Sequence, residues 1–233
     1  MILFKGYSAI ALSAMLTLVF CDTLEEIEKN RLRALSLLIG HSAFGTSKLI
    51  VMKPTKGELG LLDLARVDDT DSLPETDGLI TTDPNIVLSA NTADCNMIAM
   101  YGHGNHGLVL GLIHISRYMA DKGGHTQAFG YMSETYGLSP GTTRMIFAPS
   151  IKAESYKFPD ISEAQKSDPR WRDYIYKDKA GPWHVNTTRK IVEELQDEGV
   201  QSENMYLNPI DMGSDPNFFF SSPTCGARPR ARW

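Results

Sequence analysis

The sequence has few cysteines, no excess of positive charge and no apolar run long enough to span a membrane. Its three cysteines, Cys21, Cys95 and Cys225, do not suggest a disulfide framework and favour a reducing compartment. The net charge of -5 argues against nucleic acid as the main partner, because binding to phosphates needs a basic surface. We therefore expect a cytoplasmic protein that binds neither nucleic acid nor membranes.

One apolar segment near the N-terminus, residues 9–21, bears on that expectation. A positive charge, Lys5, precedes this apolar segment, and this order is typical of a short signal peptide. It is too short to cross a bilayer, and no small-x-small cleavage site follows it. We interpret it as a buried pair of strands, with processing as a signal peptide as the alternative.

The composition is that of an ordinary globular protein. The 233 residues are 42% hydrophobic and 22% charged, which allows a sizeable core and fits a single domain over residues 1–233. Strand and helix patterns alternate without strict βαβ order, which predicts an α+β sandwich. We expect a monomer or a homodimer.

Hydrophobic periodicity and turn residues predict the secondary structure. The predicted strands cover residues 47–53, 60–67, 78–82, 86–90, 97–101, 108–115, 144–148 and 203–207. Three helices are predicted. The first begins at Asp22 or Thr23, the second spans residues 117–136, and the third runs from the cap Asn186 to about Glu198. Residues 102–107 are expected to form a hairpin loop, the acidic stretch 68–77 to form a solvated loop, and residues 159–182 receive no assignment.

Two reactive side chains follow or end neighbouring apolar runs. Cys95 closes the sequence Thr92-Ala-Asp-Cys95, and His114 ends the apolar run 107–114. Together they can bind a metal, or the imidazole can deprotonate the thiol for nucleophilic attack. The alternative is a buried free cysteine and a hydrogen-bonded core histidine. No third residue that would orient His114 is evident from the sequence.

A series of short motifs runs along most of the chain. They are Glu28-Lys-Asn-Arg31, Asp77-Gly-Leu-Ile-Thr-Thr82, Thr92-Ala-Asp-Cys95, His114 after its strand, Ala148-Pro-Ser-Ile151 with Tyr156, Glu198-Gly-Val200 and Phe219-Phe-Ser221. In this order they resemble the laccase-domain family, also called the multicopper polyphenol oxidase family. The resemblance implies a layered α+β sandwich of mixed β-sheets flanked by helices. It also implies an enzyme for purine nucleosides, acting by phosphorolysis or by deamination of adenosine; one branch of the family consists of peptidoglycan editing factors.

The resemblance further implies a metal, usually zinc with copper possible, bound by two histidines and one cysteine. Cys95 and His114 match two of these ligands, whereas Thr55 stands where the first histidine is expected. The glycine and tryptophan expected after the last histidine, and the paired cysteines expected after Ile151, are also absent. Two protein ligands rarely hold zinc tightly. A metal-free Cys95–His114 hydrolase and a non-catalytic binding protein therefore remain as alternatives.

Other residues are candidates for substrate binding or for the missing ligand. Asp94 can orient a ligand or bind a substrate hydroxyl, and Arg117 can hold phosphate. Asn30 and Arg31 are further candidates for substrate binding. Among the remaining histidines, His41 is a weak candidate for the missing ligand. His103 and His106 are expected at the far end of the hairpin. His125 is predicted on a helix surface, and His184 at the start of a helix.

Overall fold

The computed structural model describes residues 48–55, 60–67, 69, 72–179 and 181–214. Several predictions fall on other residues and lie outside this part of the chain. They concern the apolar segment 9–21, the first helix with Asn30 and Arg31, His41, and the motif Phe219-Phe-Ser221.

Short strands outnumber helices in the described residues. The strands are β1 Lys48–Met52, β2 Leu61–Asp63, β3 Gly78–Thr81, β4 Ile86–Ala90, β5 Asn96–Gly104, β6 Gly107–Ile115, β7 Arg144–Phe147, β8 Lys157–Phe158, β9 Ile175–Lys177, β10 Trp183–Val185 and β11 Met205–Leu207. The helices are α1 Arg117–Asp121, α2 Gly124–Tyr136, α3 Glu163–Ser167 and α4 Thr187–Asp197. Single 3₁₀ turns occupy Leu64–Arg66 and Ser202–Asn204.

A mixed sheet is the centre of the fold. Its described strands lie in the order β11-β7-β5-β6-β3-β2, with β5 and β6 as the long antiparallel hairpin in the middle. Strands β1 and β4 form a separate parallel pair, and β8, β10 and β9 form a small antiparallel sheet.

Alternating side chains of β5 and β6 supply two hydrophobic cores. Ile98 and Met100 face helices α1, α2 and α4, whereas Met97 and Ala99 face the pair β1 and β4. The central sheet is therefore covered by helices on one side and by strands on the other. This arrangement confirms the predicted α+β sandwich of mixed sheets flanked by helices.

The largest differences from the predicted bounds concern four elements. The strand at 60–67 ends at Asp63, because the Asp63 carboxylate accepts a hydrogen bond from the N–H of Ala65 and turns the chain. The hairpin loop shrinks to the turn Asn105-His106 as both strands extend into it. The predicted helix 117–136 is two helices, since Gly123 adopts a left-handed conformation with φ of 68°. The last strand begins only at Met205.

Replacing either of two glycines with alanine is expected to change stability, in opposite directions. A Cβ at Gly130, within α2, would meet no atom within 4 Å, so Gly130→Ala is expected to raise the free energy of unfolding by about 0.5–1 kcal/mol. A Cβ at Gly104 would collide with the backbone carbonyl of Tyr136, so Gly104→Ala is expected to lower it. Urea denaturation of both variants measures the difference, and equal midpoints would contradict the prediction.

Candidate active site

The imidazole of His114 is held by a neighbouring strand of the central sheet. His114 lies near the end of β6, and its backbone N–H donates to the carbonyl of Asp77 at 2.7 Å. Nδ1 of the imidazole lies 2.9 Å from Oδ1 of Asp77, and Asp77 is only 1% exposed. The Thr55 hydroxyl donates to Oδ2 of Asp77. Both carboxylate oxygens are therefore engaged, and Nε2 of His114 is left for another partner.

The thiol of Cys95 lies beside His114 on the same face of the sheet. Met97 pairs with His114 across the hairpin, and Cys95 precedes Met97 by two residues. Cys95 is therefore the diagonal neighbour of His114 on the same face of the sheet. Asp94 adopts the left-handed conformation with φ of 80°, and its carbonyl accepts the N–H of Ile151 at 3.0 Å. This turn fixes the half-buried free thiol at the start of β5. The side chains of Cys95 and His114 are thus in contact.

The pKa of His114 reflects these contacts. Burial alone lowers it, but hydrogen bonds to Asp77 and Cys95 and the charges on both residues raise it, to about 9. A pKa of about 9 favours the imidazolium form of His114 at neutral pH, between the carboxylate of Asp77 and the sulfur of Cys95.

A small pocket opens next to Cys95, which we call the Cys95 pocket. Its volume is about 20 Å³, room for a single water molecule. Its walls include Asp94, Arg117, Ile151 and Tyr156. Burial raises the pKa of Tyr156, Arg117 lowers it, and Cys95 and Asp94 raise it, so the phenol interacts with all three charged or ionisable groups. The structure therefore brings Asp94, Cys95 and Arg117 together in one pocket, and His114 lies next to it through its contact with Cys95.

The sequence analysis missed Asp77 as a member of this site. It belongs to the acidic stretch 68–77, which we predicted to be a solvated loop, and for Asp77 that prediction is wrong. Asp77 directly precedes β3, the strand that pairs with β6, and this pairing carries the carboxylate to His114. Its place at the start of the motif Asp77-Gly-Leu-Ile-Thr-Thr82 was the available signal.

The remaining described histidines lie away from the site. His103 pairs with Leu108 at the far end of the hairpin, which confirms that prediction for it. His125 is wholly buried and contacts Glu194 at 2.7 Å, so a helix-surface position is wrong. His184 lies in β10 rather than at a helix start, with Nδ1 2.7 Å from the carbonyl of Ala153.

The described residues contain no cluster of three or more His, Cys, Asp or Glu side chains suited to a metal ion. No helix among them is sufficiently long and apolar to cross a membrane.

Comparisons with known proteins agree with this architecture. The chain is similar to three crystal structures over 91% of its own length. They are the Bacillus licheniformis hypothetical protein YfiH (17% identity, 80% of that chain, TM-score 0.72), YlmD from Geobacillus stearothermophilus (17%, 79%, 0.69) and the Neisseria meningitidis protein NMB0706 of family DUF152 (14%, 81%, 0.68). At these identities the likeness establishes the fold alone.

None of the curated proteins is detectably similar to the sequence. The model of the family described as multi-copper polyphenol oxidoreductase laccase, by contrast, matches residues 6–226, which is nearly the whole chain. The chain belongs to this laccase family.

Proposed function

We propose that the chain is an enzyme that acts on purine nucleosides, by phosphorolysis or by deamination, and that Cys95, His114 and Asp77 form its reactive centre. The observation that carries the proposal is the 2.9 Å contact between Nδ1 of His114 and the buried Asp77 carboxylate, on an imidazole that also contacts Cys95. Membership of the laccase family, through the resemblance described above, supports the substrate class.

His114 is the proton donor in this proposal. In both reactions a nitrogen leaves carbon: the purine leaves the sugar in phosphorolysis, and ammonia leaves the ring in deamination. Each leaving nitrogen needs a proton, and a cationic imidazole with Nδ1 fixed by a carboxylate can supply one from Nε2. The pKa of about 9 keeps this proton on His114 at neutral pH.

Cys95 is the complementary base. In deamination, water adds to the ring carbon and loses a proton, which the Cys95 sulfur can accept. In phosphorolysis the phosphate is itself the nucleophile, and it needs no base. Asp94, in the wall of the Cys95 pocket, is our candidate for binding a substrate hydroxyl.

A zinc ion fits this centre only in part. The Asp77–His114 contact resembles the outer-sphere carboxylate of zinc-bound histidines, and Cys95 with Nε2 of His114 offers two donors. Catalytic zinc sites use three protein ligands, and the hydroxyl of Thr55 is bound to Asp77 instead. The described residues therefore do not complete a zinc site, and no step of the proposal passes through a metal.

A second candidate function is hydrolysis through a covalent intermediate on Cys95. It is favoured by the same order of side chains, because a thiol, an imidazole and a carboxylate in sequence are a nucleophile, its base and the residue that orients the base. The Cys95 sulfur would bond to the substrate carbonyl carbon and expel the leaving group, which takes its proton from His114. Water would then release the acyl group.

The test is an assay of the purified protein with adenosine and inosine, with and without phosphate, in parallel with its zinc and copper content. We expect phosphate-dependent release of purine base or phosphate-independent release of ammonia, and loss of that activity as iodoacetamide labels Cys95. Peptide mass spectrometry separates this label from labels on Cys21 and Cys225.

Each outcome separates the candidate functions. A stoichiometric metal whose removal abolishes turnover would replace the metal-free centre with a metal site. A substrate-derived mass on Cys95 would favour the hydrolase. Full activity after complete labelling of Cys95 would reject Cys95 as a member of the reactive centre, and no reaction with either nucleoside would reject the proposal in favour of a binding protein.

A further inference from the structure

A second pocket adjoins the Cys95 pocket at the side chain of Arg117, and we call it the α1–α3 pocket. Its volume is about 270 Å³, and it lies between helix α1 and residues 164–171. The polar and aromatic residues of its wall are Arg117, Tyr118, Asp121, Gln165, Asp168 and Trp171. Because Arg117 lines both pockets, a ligand in the larger one lies within reach of the site at Cys95.

Arg117 forms no ion pair with any described residue. Its guanidinium lies 4.9 Å from the centre of the Phe158 ring, and Nη1 is buried with no hydrogen-bond partner. A buried donor without an acceptor is costly, and more so when it is charged. Stacking on Phe158 holds the guanidinium in place without satisfying its N–H groups. The geometry thus leaves a preorganised donor for an anion.

The two carboxylates in the wall of the α1–α3 pocket share one guanidinium, that of Arg170. Asp168 receives Nε and Nη2 of Arg170 at 3.1 and 2.7 Å. Asp121 accepts the Trp171 indole N–H at 2.7 Å and lies 3.4 Å from the same Arg170. Both carboxylates are thus engaged by other donors, whereas Arg117 forms no ion pair with a described residue. The side-chain amide of Gln165, which bonds to no other described residue, offers a second donor.

We propose that the α1–α3 pocket is an oxyanion subsite, in which Arg117 binds a phosphate group and Gln165 supports it. A planar guanidinium matches two phosphate oxygens at once, which is why arginine is favoured in such sites. The phosphate is either the free co-substrate of phosphorolysis or a group carried by the substrate. This inference rests on the proposed function for its role in turnover, but the binding itself does not require turnover.

The test measures binding by titration calorimetry at constant ionic strength, with inorganic phosphate and with ribose 5-phosphate as probes. Four proteins are compared: the unmodified chain, Arg117→Met, Arg117→Lys and Arg172→Met. Arg172 is the matched control, because it is exposed and its ion-pair contact is a 3.7 Å approach to Asp173. We expect Arg117→Met to weaken binding roughly 10- to 100-fold, Arg117→Lys to weaken it less, and Arg172→Met to leave it unchanged.

The two probes identify the source of the phosphate. Arg117-dependent binding of inorganic phosphate supports a co-substrate site, and Arg117-dependent binding of ribose 5-phosphate alone supports a phosphorylated substrate. Equal binding by Arg117→Met and the unmodified chain, or no binding of either probe, overturns the subsite. Phosphate binding without nucleoside turnover would reject the proposed function alone, whereas turnover with an unchanged phosphate KM in Arg117→Met would reject the subsite alone.

Discussion

Asp77→Asn is expected to lower kcat/KM toward the nucleoside at least about 100-fold. Asparagine matches aspartate in shape but carries no charge, so the His114 imidazolium loses the partner that lies 2.9 Å from Nδ1. Its amide can also donate to Nδ1, which favours the other tautomer. The measurement is steady-state kinetics of the variant beside Asp83→Asn, an exposed aspartate at the turn before β4. Similar losses in both variants would contradict the role given to Asp77.

The same variant is expected to change how stability depends on pH. The pKa of His114 is raised from 6.5 in the unfolded chain to about 9 in the folded one. A raised pKa stabilises the folded state fully below 6.5, and the contribution is lost as pH rises through about 9. The shift corresponds to a free energy on the order of 3 kcal/mol. Without the Asp77 charge, the effect of burial, which lowers the pKa of His114, gains weight.

Urea denaturation at several pH values between roughly 6 and 10 measures this difference. We expect the free energy of unfolding of the unmodified chain to fall between pH 6.5 and about 9 more steeply than that of Asp77→Asn. Parallel pH profiles would show that Asp77 does not hold the charge on His114.

The sequence predicted the two reactive side chains but not the Asp77 carboxylate that contacts one of them. Cys95 and His114 follow or end apolar runs, and local periodicity detects such positions. Asp77 lies 37 residues before His114, and only the pairing of β3 with β6 brings the two together. Thr55 reaches Asp77 through a different long-range contact, because the N–H of Thr76 donates to the carbonyl of Lys53. Strand register depends on long-range packing, so a local pattern does not contain it.

Which helix positions are buried is likewise hard to predict from a local pattern. His125 follows Gly123-Gly124 in a stretch of moderate polarity, and its environment depends on which helix packs against it. Helix α4 covers it and places Glu194 at 2.7 Å. The predicted cap Asn186 of α4, by contrast, is confirmed, because its side chain accepts the N–H of Arg189 at 3.0 Å within the same short segment.

Beneath helix α4 lies a group of buried ionisable side chains. Lys190 is only 1% exposed, and its ammonium contacts Glu194 and lies 5.3 Å from the centre of the Trp171 ring. Glu194 also contacts His125 on α2. Burial raises the pKa of Glu194, but the contacts with His125 and Lys190 lower it more strongly. One carboxylate therefore contacts two basic side chains between the helices.

Glu194→Gln is expected to lower the free energy of unfolding by about 3 kcal/mol. The loss arises because Lys190 would remain a buried cation without the carboxylate that it contacts directly. Glu193→Gln is the matched control on the same helix: its ion pair with Arg189, at 2.7 Å, is exposed, and its removal is expected to cost less than about 1 kcal/mol. Chemical denaturation of both variants at neutral pH gives the comparison.

A double variant separates loss of the ion pair from loss of packing. Lys190→Met keeps the apolar stem beside Trp171 and removes the charge that Glu194→Gln leaves unpaired. In the combined variant we expect stability to return to within about 1 kcal/mol of the unmodified chain, since a buried ion pair replaced by uncharged groups is often neutral. If instead the two losses add, the Lys190–Glu194 contact contributes nothing as a pair, and α4 is held to the sheet by its apolar residues Ile191 and Leu195 alone.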